Sequence, residues 1–173
     1  MIYPHDLANE NKSEFLKTFD ELYEHSPWVI EKSFESIKKD LKYNDLEEFH
    51  KILSNTVFNE SIDLQMSLIK AHPMLAGKQA KNNELTDFST NEQKSAGLNS
   101  CTDKEIKLFD ELNKKYFDKF DFPYILAVKG RVKKEIIENF RSRLENSLKD
   151  EKQEALDQIN QIALIRIKGI YGK

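Results

Sequence analysis

The chain has 173 residues, of which 33% are charged and 39% hydrophobic, a balance that fits one soluble domain with a buried core. Its net charge of −3 gives no reason to expect a nucleic-acid partner or an anionic membrane surface. The single cysteine, Cys101, excludes a disulfide framework and a zinc–cysteine cluster, and no apolar run approaches the length of a membrane span. We therefore expect a cytoplasmic protein of a reducing compartment.

The first half of the chain repeats apolar residues at helical spacing and predicts four helices. Ser13 is expected to cap the first helix, Pro27 to stand at the start of the second, and Asp45 to cap the third. The fourth begins near Ser61 with an inward stripe that leads to position 72. It ends at His72, because a residue that precedes proline disfavours helical angles.

The second half continues this pattern after a loop at 73–88. Residues 89–92 and 102–105 each have the spacing of a capping box that opens a helix. Two longer helices finish the chain. Between them and the second box, residues 121–130 read DFPYILAVKG, a short apolar run with no evident strand to pair with. The prediction is a compact, all-α single domain over residues 1–173, with about eight helices and one buried extended segment at 121–130.

Two polar residues stand where the helical period expects apolar ones, namely His72 and Arg166. An inward guanidinium needs a partner, because an unpaired buried charge is costly. Structural readings remain open for both: the histidine can serve the last carbonyls of its helix, and the arginine can lay its stem on the core. Glu92 and Ser89 have a structural reading as the two halves of a capping box.

Metal binding finds little support in the sequence. Glu47 and His50 have the Glu-x-x-His spacing of di-iron helical bundles, but such a site needs two copies and further glutamates. The four histidines are scattered along the chain, so no metal site is predicted. From the residues alone, the chain is a helical domain with a candidate His, Glu and Arg constellation.

Four motifs in order give the chain a resemblance to a known family. Residues 72–78 read HPMLAGK, residues 85–98 read LTDFSTNEQKSAGL, residues 113–130 read NKKYFDKFDFPYILAVKG, and an arginine lies in the apolar setting IRI at 165–167. Together they resemble the decarboxylases of 2-oxo-4-hydroxy-4-carboxy-5-ureidoimidazoline (OHCU), which complete the conversion of urate to (S)-allantoin. Two positions depart from the family pattern. Met74 replaces a charged residue, and Asp121 replaces a glycine, which predicts that no positive φ is needed there.

The resemblance implies a cofactor-free carboxy-lyase, because the substrate carries its own electron sink. It assigns His72 as general acid or base and Glu92 and Arg166 as the residues that orient it or the substrate. The implied substrate contacts come from side chains and from the backbone of the apolar run: Pro73, Ser89, Gln93, Tyr124, Ile125, Leu126, Ala127 and Val128. A homodimer is expected from the resemblance alone.

Two alternatives stay open at this point. The chain could be an enzyme of the same fold that acts on another small ureide or carboxylate, with Met74 as the changed contact. It could also be a non-enzymatic helical interaction module in which His72 and Arg166 are only structural.

Overall fold

The computed structural model describes residues 2–76 and 86–173, and in that part the regular structure is helical throughout. The helices, numbered in chain order, are α1 Pro4–Glu10, α2 Lys12–Phe19, α3 Trp28–Lys39, α4 Leu46–Phe58, α5 Ile62–Ala71, α6 Asp87–Ser95, α7 Asp103–Phe120, α8 Lys133–Arg143 and α9 Leu148–Ile170. The all-α prediction is confirmed, with nine α-helices in the described ranges where about eight were expected. None of these helices is both long enough and apolar enough to cross a bilayer.

Helix starts follow side chains that accept a backbone N–H. Asp45 accepts from the N–H groups of Glu47 and Glu48, and Thr102 forms the predicted capping box with Glu105. The prediction for Ser13 is wrong, because the cap of α2 is Asn11, whose side chain accepts from Glu14 N–H. A separate short helix, α1, precedes this cap, and the apolar pattern did not indicate it.

The capping box predicted at 89–92 is also wrong. The cap of α6 is Thr86, whose Oγ1 accepts from the N–H of Ser89 at 3.3 Å. Helix α6 therefore begins before Ser89, and Ser89 lies buried inside it. The capping explanation for Ser89 and Glu92 falls away with this correction.

Helix α5 ends as predicted, and part of its predicted inward stripe of Ile62, Met66 and Ile69 is buried. Ile69 is buried and Met66 is half-buried, whereas Ile62 is 70% exposed. Leu68 is buried as well. The helix ends at Ala71, and His72 directly after it is 7% exposed. The burial of His72 is thus confirmed, although the stripe used to predict it began at the wrong residue.

The backbone groups into two compact units, a terminal unit (residues 1–71 and 160–173) and a central unit (residues 72–159). Helix α9 contributes residues to both. The core of the terminal unit is an aromatic cluster in which rings meet edge to face or tilted, with centroids 4.9 to 6.3 Å apart. Its members are Phe15, Phe19, Phe34 and Phe49. The prediction of a single domain over residues 1–173 stays a prediction.

The core of the central unit is a second aromatic cluster, centred on the ring of Tyr116. Phe120 packs on that ring from the same helix, and Phe140 packs on it from α8. Tyr124 stacks on Phe140 with the centroids 3.7 Å apart. This stack fixes the start of the apolar run against α7 and α8.

The apolar run itself has no regular secondary structure, and residues 122–128 are buried. The predicted buried segment is therefore confirmed in its middle, while both of its ends are exposed. The expectation for Asp121 is wrong: its φ is +61°, in the left-handed region, where it ends α7. An aspartate can take the place of glycine there because short polar side chains tolerate this conformation.

Replacing Asp121 with valine should therefore lower the free energy of unfolding by about 1–2 kcal/mol, because a β-branched residue is strained at positive φ. Asp121→Asn should change it by less than about 0.5 kcal/mol. Urea denaturation of the three proteins measures the difference. Equal midpoints for the valine and asparagine variants would show that the turn does not impose this conformation.

In the terminal unit, His50 links α4 to the middle of α9. Its Nε2 donates to the backbone C=O of Asn160 at 2.8 Å. Burial lowers the pKa of His50 below its ordinary value, against the raising effect of that hydrogen bond. The folded state therefore favours the neutral imidazole, while the unfolded chain takes up a proton near pH 6.5.

This difference predicts that the stability contributed by His50 is complete above about pH 6.5 and declines as the pH falls below it. His50→Gln keeps a donor for Asn160 but removes the titrating group. The urea midpoint of this variant should fall less than that of the wild type between about pH 8 and pH 5. Parallel pH profiles would show that His50 does not contribute to the acid sensitivity.

Candidate functional site

The loop that carries His72 leaves helical geometry directly after α5. His72, Leu75 and Ala76 are buried, while Pro73 and Met74 are half-buried. Ala76 has a φ of +52°, an unfavourable conformation for a residue with a β-carbon. Contacts with the rest of the protein must therefore stabilise the loop in this conformation.

Two amide side chains of the central unit, Gln93 and Asn113, stabilise the loop that follows His72. Gln93 Oε1 accepts from the N–H of Ala76 at 3.0 Å, and its Nε2 donates to the C=O of Met74 at 3.4 Å. Asn113 Nδ2 donates to the C=O of Leu75 at 2.9 Å. Gln93 and Asn113 are themselves buried, and the bonds to Ala76 and Leu75 are shielded from water. We call this pair the loop clamp.

Helix α6 presents three of the predicted site residues on one side. Ser89, Glu92 and Gln93 are three and four positions apart, which places them on the same helical face. Ser89 and Gln93 are buried and Glu92 is half-buried. Since Gln93 bonds to the loop, this face is turned toward the chain that follows His72.

The apolar run 122–128 is held along one edge by side chains. Arg143 Nη1 donates to the C=O of Ile125, and Gln158 Oε1 accepts from the N–H of Ala127 at 3.0 Å. Arg131 Nε donates to the C=O of Ala127 at 3.0 Å. The held groups belong to alternate residues, as in an extended chain. Leu126, between them, makes no backbone hydrogen bond within residues 2–76 and 86–173.

Behind the run lies a buried ion pair that the sequence analysis missed. Arg143 is 4% exposed and Glu151 is fully buried, and Arg143 Nε donates to Glu151 Oε1 at 2.7 Å. Both residues carry the same sequence signal as His72 and Arg166, a charged or polar side chain on the apolar side of a helix. Arg143 continues the buried stripe of Ile136 and Phe140, and Glu151 precedes Ala155 on the buried side of α9.

Arg166 lies in the terminal unit and is 2% exposed, as the stripe of α9 predicted. Both Nη atoms lie 3.2 Å from Oε2 of Glu24, which is also buried. Nη1 also donates to the C=O of Glu21 at 2.9 Å. Glu24 and the C=O of Glu21 thus provide the partner that an inward guanidinium requires.

The predicted site residues are therefore distributed over both units. The central unit contains His72, Pro73, Ser89, Glu92, Gln93 and the run 124–128. Gln93 is joined directly to the loop that follows His72. Arg166 belongs to the terminal unit, with Glu24 as a partner. Gly77, Lys78 and Leu85, which contribute to the motifs, lie outside the described residues.

The profile of the OHCU decarboxylase family matches residues 8–168. The chain belongs to the OHCU decarboxylase family. A 2-oxo-4-hydroxy-4-carboxy-5-ureidoimidazoline decarboxylase from Halalkalicoccus jeotgali is 33% identical over 94% of this chain and 88% of that protein. A decarboxylase of the same name from Xenopus laevis is 32% identical over 91% of this chain and 88% of its own length.

Longer proteins match as well. A uric acid degradation bifunctional protein from Bacillus sp. (strain TB-90) is 36% identical over 95% of this chain, which spans only 31% of that protein. The crystal structure of an (S)-allantoin synthase superposes with a TM-score of 0.73 at 26% identity and covers 98% of this chain and 54% of that one. An OHCU decarboxylase crystallised in the presence of (S)-allantoin, at 18% identity and a TM-score of 0.70, shares the fold.

Met74 is the loop residue that the resemblance marks as a departure from the family pattern. It lines a cleft of about 330 Å³ together with Phe117 and the ion pair of Lys114 and Asp118 on α7. Neither His72 nor Glu92 lines that cleft. The side of the loop at Met74 therefore faces α7.

The loop clamp predicts a stability cost for Gln93→Leu, because it leaves the N–H of Ala76 buried without a partner. The free energy of unfolding should fall by roughly 1–3 kcal/mol. Gln153→Leu, an exposed position on α9, is the matched control and should change it by less than about 0.5 kcal/mol. If urea midpoints of the two variants coincide, Gln93 does not hold the loop.

Proposed function

We propose that this protein is a cofactor-free decarboxylase that converts OHCU to (S)-allantoin in urate degradation. The observation that carries the proposal is the family match over residues 8–168, which includes His72, Glu92 and Arg166. Relatives named for this activity align with nearly the whole chain. The site chemistry supports the same conclusion.

Decarboxylation asks three things of the protein. The carbon–carbon bond to the carboxylate breaks, carbon dioxide leaves, and the electron pair moves into the adjacent unsaturated ring of the substrate. No metal or organic cofactor is needed to accept that pair. The protein has to orient the carboxylate, stabilise the developing negative charge, and move a proton to one face of the ring.

His72 is the proposed general acid or base. An imidazole exchanges protons near neutral pH, and the loop clamp fixes the backbone that follows it. Glu92 would set the tautomer of the imidazole or hold the substrate hydroxyl. Its place on the buried side of α6, next to Gln93, suits a carboxylate that must be held in one orientation.

Arg166 is proposed to present its planar guanidinium to carboxylate or carbonyl oxygens of the substrate. Its bonds to Glu24 and to the C=O of Glu21 restrict the rotation of the side chain before any ligand arrives. A fixed cation loses little freedom on binding an anion, which favours this role. Glu24 would then act as the residue that positions Arg166.

The remaining proposed contacts are Pro73 against the substrate ring, and Ser89 and Gln93 to its ureido or amide groups. The loop clamp already uses both ends of the Gln93 amide, so Gln93 has one N–H left to offer a ligand. Pro73 is only half-buried, so its ring has a surface open to contact.

Within the apolar run, the backbone groups proposed to bind the substrate lie along one edge. Ile125 C=O and both backbone groups of Ala127 are engaged by side chains of the protein. Leu126, with Tyr124 and the N–H of Val128 on the same edge, is the proposed backbone contact for the amide-rich substrate; the C=O of Val128 already accepts from the N–H of Arg131 at 3.0 Å. The N–H and C=O of Leu126 provide a donor and an acceptor side by side.

The protein is further proposed to work as a homodimer in the cytoplasm, with neither a nucleic acid nor a membrane as partner. The near-neutral net charge of −3 and the lone Cys101 support this setting. Sedimentation equilibrium of the purified chain tests the oligomeric state, and a single species at the monomer mass would exclude the dimer.

The activity is tested by generating OHCU in situ from urate with urate oxidase and hydroxyisourate hydrolase. Circular dichroism then follows the product. A rapid signal of one sign after addition of this protein is the expected result. Slow decay to racemic allantoin in the presence of folded protein would overturn the proposal and favour a different ureide or carboxylate as substrate.

His72→Ala should lower kcat by roughly 10²–10⁴-fold while the melting temperature changes little, because the proton transfer is lost and the clamp remains. His25→Asn is the matched control, since His25 is exposed and its φ of +46° suits asparagine. Lost folding with unchanged residual activity per folded molecule would instead favour a structural role for His72, as in a non-enzymatic helical module.

A further inference from the structure

The ion pair of Arg143 and Glu151 is the most buried charged group in the described part of the central unit. Arg143 reaches Oε1 of Glu151 through both Nε and Nη2. The hydroxyl of Tyr116 donates to the same oxygen, and Asn146 Nδ2 donates to Oε2 at 2.7 Å. Each carboxylate oxygen therefore has a donor, which a buried charge requires.

Charge compensation also keeps the arginine protonated. Burial is the largest effect and lowers the pKa of Arg143, but the hydrogen bond that Arg143 donates to Glu151 and the nearby Glu151, Tyr116 and Tyr124 together raise it by more, so the net shift is upward. Burial raises the pKa of Tyr116, so its hydroxyl stays a donor to Glu151. Arg143 and the hydroxyl of Tyr116 therefore both remain hydrogen-bond donors to Glu151 near neutral pH.

Arg143 uses its remaining Nη1 to hold the apolar run. That atom donates to the C=O of Ile125, and the guanidinium lies over the ring of Tyr124, 4.8 Å from its centroid. Gln158 and Arg131 hold Ala127 two residues further on. All three side chains act on the same edge of the run.

The bonds to Ile125 and Ala127 also determine how the opposite edge of the run is oriented. In an extended chain, the N–H and C=O of neighbouring residues point to opposite sides. Fixing Ile125 and Ala127 on one side therefore fixes the direction of Leu126 on the other. The run has no partner strand among the described residues, so side chains do what a sheet would otherwise do.

We propose that Arg143 and Glu151 are positioning residues for the reaction, which aim the backbone of Leu126 at the substrate. This inference rests on the proposed function for the identity of the substrate. Stability alone is a poor reason for the pair, because apolar residues of similar volume commonly replace a buried ion pair without loss. An apolar pair cannot hold the carbonyl of Ile125, and that is the difference to be tested.

The decisive variant replaces both charges at once, Arg143→Met with Glu151→Leu. Its urea midpoint should stay near that of the wild type. Its kcat/KM for OHCU should fall by about 10²-fold, chiefly through a higher KM, because a misplaced backbone contact weakens both bound substrate and transition state. Lys114→Gln with Asp118→Asn, which removes an exposed ion pair on α7, is the control and should leave the kinetics unchanged.

A second variant covers the case in which the double replacement fails to fold. Arg143→Lys keeps the charge beside Glu151 but lacks the fork that serves Glu151 and Ile125 together. It should show the same rise in KM. A folded variant of either kind with wild-type kinetics would overturn the inference while leaving the decarboxylase proposal intact.

Hydrogen–deuterium exchange separates the two proposals when the wild type does not convert OHCU. The peptide that contains residues 124–128 should exchange at least about tenfold faster in Arg143→Lys than in the wild type, because its backbone is released, while α7 keeps its protection. Unchanged exchange in that peptide would overturn the positioning role, whatever the substrate proves to be.

Discussion

The apolar run at 122–128 is buried but lies outside every helix, and its backbone N–H and C=O groups still require partners. A sheet would provide them from a neighbouring strand. Here they come from Arg143, Arg131 and Gln158, and these three side chains hold one edge of the run. The N–H and C=O groups of the other edge are thereby held in one orientation. A backbone that binds a small polar ligand requires such a fixed orientation.

The loop after α5 meets the same requirement with neutral amides. Gln93 and Asn113 bond to three consecutive residues of that loop and hold Ala76 at positive φ. In both places, helices of the central unit contribute polar side chains that shape irregular backbone. An irregular segment held in this way can carry an imidazole or an open amide without being mobile.

Helix α9 illustrates why such a protein is difficult to interpret from its apolar pattern. Its buried side carries Glu151, Gln158, Asn160 and Arg166 among aliphatic residues. Each has a defined partner: Glu151 bonds to Arg143, Gln158 to the run, Asn160 to Tyr23, and Arg166 to Glu24. The helix therefore organises both units through polar contacts as well as through packing.

The sequence by itself determined the all-α class, most helix positions, the buried run and the burial of His72 and Arg166. These features follow from local periodicity and from the local effects of proline and of capping side chains. Only the tertiary structure decided the partners. The choice of Thr86 over Ser89 as a cap, the left-handed Asp121, and the pairing of Arg166 with Glu24 depend on the surrounding chain. The pairing of Arg143 with Glu151 also depends on the tertiary structure, because the partner of a buried charge is known only from the atoms that surround it.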